Sequence, residues 1–172
     1  MGHPHQHTVD VMNGERVMRM AIHDAIETTR RSDMPFGACR VDQKRVVVSI
    51  GCNSVATTGD PIAHTEIQAI REAARLLQSP KLPDRIPYST CEPCPMCFGA
   101  RLCARLRRIV YGACIEDGKR FGAVGIPIPC RQMQQLSLSK ADIVGGVFCN
   151  DCRRLCAPSS ISQQSRQKAP ME

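Results

Sequence analysis

The spacing of hydrophobic positions changes several times along the chain, and each change marks an element. From Asn13 to Arg31 the apolar residues Val17, Met20, Ala21, Ile22, Ala25 and Ile26 recur at helical spacing, with Asn13 placed as N-cap. Two strand-like runs follow, 35–41 and 45–53, and the polar residues 42–44 between them read as the turn of an antiparallel hairpin. Residues 54–61 carry loop chemistry. Helical period returns over 63–77, apolar at Ile67, Ile70, Ala74 and Leu77. A Pro-containing connection at 79–85 leads to a short strand at 86–90, a helix within 94–106 and a strand at 107–115. The pattern then weakens: 116–130 reads as loop, 131–137 as a short helix, 141–146 as a last strand and 147–156 as a last helix. Strands alternating with helices in this way predict an α/β layered sheet.

Length and composition narrow the class. With 172 residues the chain suits one domain, expected over 13–157 and flanked by a polar arm (1–12) and a Ser/Gln-rich, disordered tail (158–172). His3, His5 and His7 alternate in the arm and read as polar surface, not as a metal site. Four Phe, two Tyr and no Trp exclude an extended aromatic platform for stacking many bases. The formal net charge is +7, but the basic residues are dispersed. They read first as a solvated surface and second as an attraction for a polyanion such as RNA. Eleven cysteines is an odd count, and residues 1–10 show no apolar leader pattern. Reduced thiols in a cytoplasmic compartment are therefore expected in place of a secreted disulfide framework. No run approaches 18 apolar residues, so no membrane partner is expected.

The chemistry concentrates in two segments. Cys94 and Cys97 form a C-x-x-C at the expected start of a helix, where Pro93 and Pro95 fit the boundary. Two intervening residues let both sulfurs reach one ion, and the helix N-terminus favours their thiolate form. A catalytic zinc needs a third protein ligand and an open fourth position. His64 is the one histidine outside the arm and the first helix, where His23 reads as structural or exposed. Glu66 follows His64 by two residues, so both fall in one first helical turn, with imidazole for the metal and carboxylate for a proton. A C-x-x-C alone also serves structural zinc and redox sites. H-x-E followed by P-C-x-x-C is more specific. Cys149, Cys152 and Cys156 lie on one helical face and read as packed thiols, with a second, structural zinc site as the alternative.

On "GDPIAHTEIQAIREA" and "CEPCPMCFGA" the sequence resembles the cytidine deaminase-like superfamily, in the branch of guanine and guanosine deaminases, tRNA adenosine deaminases and fungal-type cytosine deaminases. The resemblance runs from about Val17 to Cys156. It implies a three-layer α/β/α fold with a mixed five-stranded sheet, and a homodimer. It also implies Zn2+ held by His64, Cys94 and Cys97, with Glu66 shuttling protons in a hydrolytic deamination. Asn53 matches a residue that hydrogen-bonds the base. Phe36, in "MPFGA", matches a loop near the base, and Ala63 is carried over as a third substrate contact. "TCEPC" around Cys91 is similar to guanine-type enzymes, whereas "IVGGVFCNDCRRL" is similar to tRNA adenosine deaminases. The stretch "RFGAVGIPIP" lacks the acidic pair of the guanine type. The expected substrate is a small purine base or nucleoside of guanine type. A tRNA adenosine deaminase acting on tRNA is the first alternative and a cytosine deaminase the second. A zinc-binding interaction module is the non-enzymatic alternative.

Overall fold

A computed structural model describes residues 11–29, 33–41, 47–120 and 125–157. The expected arm residues 1–10, the hairpin turn 42–44 and the tail 158–172 lie outside these. Five strands are present: β1 (Gly37–Val41), β2 (Val47–Cys52), β3 (Ile86–Cys91), β4 (Arg108–Ala113) and β5 (Asp142–Val144). They form one sheet in the order β2-β1-β3-β4-β5. β1 pairs antiparallel with β2 and β3, while β3–β4 and β4–β5 are parallel. The sheet is therefore mixed, as expected.

Helices cover both faces. α1 (Val11–Thr29) and α7 (Cys149–Cys156) pack on one side, where Val17, Met18, Ala21 and Cys152 meet Tyr88 and Val110. α3 (Thr65–Leu76), α4 (Pro95–Cys103) and α6 (Cys130–Leu136) lie on the other side, where Phe98 and Cys130 meet Ile109 and Ile143. Ile109 and Val110 point to opposite cores, the period of two that a strand imposes. α3 approaches β2 closely enough that a Cβ on Gly51 would lie 2.1 Å from the Thr65 carbonyl oxygen. Small residues, Ala69 and Ala73, face that contact and are buried.

Several expectations need correction. Asn13 does not cap α1, because the helix already runs from Val11. Ile26 is 46% exposed, and Leu77 ends α3 as its exposed C-cap. Ile67 is buried as expected, and the rest of the buried stripe of α3 runs through Thr65, Ala69 and Ala73, set by the close approach to β2. Two short helices stand where loops were expected. α2 (Val55–Thr58) is held from outside: Asp33 Oδ1 accepts the N–H of Ala56 at 2.8 Å and of Thr57 at 3.1 Å. α5 (Ile115–Arg120) has Glu116 and Asp117 in its first turn and Lys119 and Arg120 in its last, the charge order that suits a helix dipole.

Among the described residues, no helix is long and apolar enough to cross a membrane.

Candidate active site

The parallel strands β3 and β4 end side by side, and a pocket opens beyond their carboxyl ends, the usual place for a site in such sheets. Two helix N-termini converge there. His64 is the N-cap of α3 and Cys94 the N-cap of α4, both in extended conformation, with Pro95 in the first turn of α4. The expectation that His64 and Glu66 both fall in the first helical turn is corrected: the helix starts at Thr65, so His64 is the N-cap just outside it and only Glu66 lies inside.

His64 Nδ1 lies 3.7 Å from the Cys94 sulfur and 3.7 Å from the Cys97 sulfur, and the two sulfurs are 3.7 Å apart. A tetrahedral ion with bonds of about 2.0–2.3 Å needs donors spaced about 3.3–3.8 Å apart, so this donor set and triangle fit zinc. Among the described residues, these three form the one group of potential ligand atoms gathered within 4.8 Å. The N-terminal ends of both helices direct positive potential at the sulfurs.

Ionisation follows the contacts. The hydrogen bond with Cys97 is the main reason that the Cys94 thiol is held down to about 4; burial opposes it and His64 assists. Cys97 is pushed up by its hydrogen bond to Cys94 and by burial. The His64 imidazole is raised chiefly through its hydrogen bond with Cys94, against the effect of burial. Glu66 reaches the pocket, yet its carboxyl is densely surrounded by protein. Burial raises its pKa, and the charge on Cys94 adds to the rise.

Glu66 Oε1 accepts a hydrogen bond from Ser89 Oγ at 2.9 Å, and its Oε2 lies 3.3 Å from the Cys97 sulfur. Ser89 is a site residue that the sequence patterns do not disclose; it sits in mid-strand β3, 1% exposed. Asn53 and Phe36 line the pocket with His64, Glu66 and Cys91. Ala63 is fully buried beside His64 and lies outside the lining; its carbonyl accepts the Ser54 N–H at 3.1 Å. Glu92, Ile115, Lys119, Ile126 and Pro127 also line it. The space between these walls, with the open solvent at its mouth included, is about 550 Å³.

The remaining candidates lie elsewhere. His23 is exposed on α1 near Asp24. Cys152 and Cys156 are buried, and Cys152 packs against Gly112, where a Cβ would lie 2.2 Å from its sulfur. With Cys149 they form no metal-binding group.

Comparison with known proteins agrees with this geometry. The cytidine and deoxycytidylate deaminase zinc-binding region matches residues 12–113. This chain belongs to that family. The zinc ligands of the deaminase are His64, Cys94 and Cys97. A tRNA-specific adenosine deaminase of Haemophilus influenzae is 31% identical over 158 residues, covering 92% of this deaminase and 88% of that protein. A guanine deaminase of Bacillus subtilis is 39% identical over 112 residues, covering 64% of this chain and 71% of the other. The solved guanine deaminase of Nitrosomonas europaea superposes with a TM-score of 0.76 at 23% identity, over 83% of this chain and 81% of that one, a likeness of fold.

Proposed function

We propose that the deaminase acts on a purine nucleobase or nucleoside, with guanine-type substrates first, and replaces an exocyclic amine by oxygen with release of ammonia. The observation that carries this reading is the Glu66 carboxyl. It stands beside the ligand triad, 3.3 Å from Cys97, without belonging to the ligand group. Zinc, when bound, supplies Lewis-acid activation of water. Glu66 would take one proton of the attacking water and deliver it to a ring nitrogen, then take the second from the hydroxyl so added and pass it to the departing amine. One carboxylate serves both transfers because it is within reach of both groups, and Ser89 keeps it aimed. The carbonyl of Asn53 is engaged by the Val55 N–H at 3.3 Å, which leaves its amide hydrogens for an acceptor on the base. Phe36 supplies an apolar face for the ring.

Action on an adenosine within tRNA is the second reading. The Haemophilus relative covers 92% of this chain, and the net charge of +7 suits a polyanion. A panel of guanine, guanosine, adenine, adenosine, cytosine and a tRNA anticodon hairpin separates the two. Ammonia from guanine or guanosine is expected; turnover of the hairpin alone, weakening steeply with salt, would establish the second reading. Glu66→Ala should keep stoichiometric zinc and lose at least about 10²-fold in kcat, the usual worth of a general acid–base. Full activity in that variant would overturn the mechanism. The proposal includes a homodimer, which sedimentation velocity would check.

A further inference from the structure

Glu92 carries a buried carboxylate that the proposed chemistry does not use. It is 4% exposed and lines the pocket, and it has no ion-pair partner among the described salt bridges. A buried carboxylate without a cation needs strong donors. Here both oxygens are met by backbone. Oε2 accepts the Ile115 N–H at 3.1 Å, and Oε1 accepts the Cys130 N–H at 2.7 Å. Ile115 opens α5 and Cys130 opens α6. Ile115, Gly118, Lys119, Gly125, Ile126 and Pro127 line this side of the pocket, running in sequence from the first of those amides toward the second.

The same anchor is reinforced twice. The Glu92 N–H donates to the Ala113 carbonyl at 2.8 Å, and the Cys130 thiol donates to the Pro93 carbonyl at 3.4 Å. Residues 92 and 93 directly precede the ligand Cys94. The wall is thus tied to the segment that holds the metal.

We infer that Glu92 is a positioning residue that clasps the start of α5 and the start of α6, fixing the wall residues 115–119 and 125–127 at their distance from the metal centre. Hydrogen bonds to a charged acceptor are the stronger kind, and two of them drawn from separate helices act as one staple. The inference takes the pocket as the substrate site proposed above.

Glu92→Gln tests it, since an amide can accept at one oxygen but turns a donor toward the other N–H. In the zinc-loaded variant, hydrogen exchange at the Ile115 and Cys130 amides should quicken by about tenfold or more. Exchange in β3 and β4 should stay unchanged. KM for guanine should rise about tenfold, with kcat within about threefold. Unchanged exchange at both amides, or an unchanged KM with collapsed kcat, would overturn the inference.

If Glu92→Gln does not fold, a second pair of variants decides. Cys130→Pro removes only the N–H that Cys130→Ala retains, at the first position of a helix, where proline is tolerated. Cys130→Pro should show the higher KM and the faster Ile115 exchange; equality of the two variants would overturn the clasp. Amide exchange needs no substrate. If the wild type fails to turn over guanine, the proposed function fails while exchange still decides the clasp.

Discussion

The proton-carrying role proposed for Glu66 requires its carboxyl to point at the reacting atoms, and Ser89 is the side chain that hydrogen-bonds it. The bond is 2.9 Å long and joins β3 to α3. Ser89→Ala should retain zinc and fold, and lose about tenfold in kcat, the worth of one hydrogen bond to a charged group. Steady-state kinetics with metal analysis would check this, and an unchanged kcat would show that burial alone orients Glu66. His64, Glu66, Cys94 and Cys97 were legible because spacing carries them: two short motifs, each at a helix start. Ser89 and Glu92 were not legible. Glu92 reaches backbone amides 23 and 38 residues away, and no local pattern encodes a partner at that range.

The long helices and the strands were read within a few residues, since periodicity depends on burial of one face. α2 and α5 were missed for a shared reason. Each is too short to show a period, and each is ended or capped by a residue from another element. Asp33 reaches α2 from the connection after α1, with Thr57 Oγ1 donating to its second oxygen. Asp117 fastens α5 to α7 by accepting Arg153 Nε at 2.7 Å, and it also accepts the Cys114 N–H at 3.3 Å. Burial pushes the Asp117 carboxyl up, but the hydrogen bonds from Cys114 and Arg153 outweigh it, and the group titrates below the ordinary aspartate range. A depressed folded pKa gives stability that is present above the unfolded value, about 3.9, and is lost as pH falls through the folded one. Wild type should therefore exceed Asp117→Asn in denaturant midpoint at pH 7, and the gap should narrow below about pH 4. Comparing both proteins at each pH cancels the zinc loss they share. A gap independent of pH would show that the carboxylate's charge is immaterial.

At the scale of the molecule, the metal ligands sit where one helical layer meets the sheet. An ion held by His64, Cys94 and Cys97 would tie together the starts of α3 and α4, which pack on the same face of the sheet. Stripping zinc should therefore loosen α3 and α4 together. A chelator should lower Tm by roughly 10 °C, as expected if binding adds at least about 3 kcal/mol to a domain of this size. Differential scanning calorimetry with and without added zinc would check it, and an unchanged Tm would mean that packing alone holds the two helices. The mixed sheet as such was not readable from the residues, since pairing order depends on contacts between distant segments. It followed from the resemblance.

The clasp at Glu92 also orders events in time. A ribosome releases this chain from the amino end, and all three metal donors have emerged once Cys97 is clear. The amide that completes the clasp belongs to Cys130, thirty-three residues later, a matter of seconds at ordinary synthesis rates. The nascent chain thus owns its complete set of metal donors before it owns the amide that fastens α6 to Glu92.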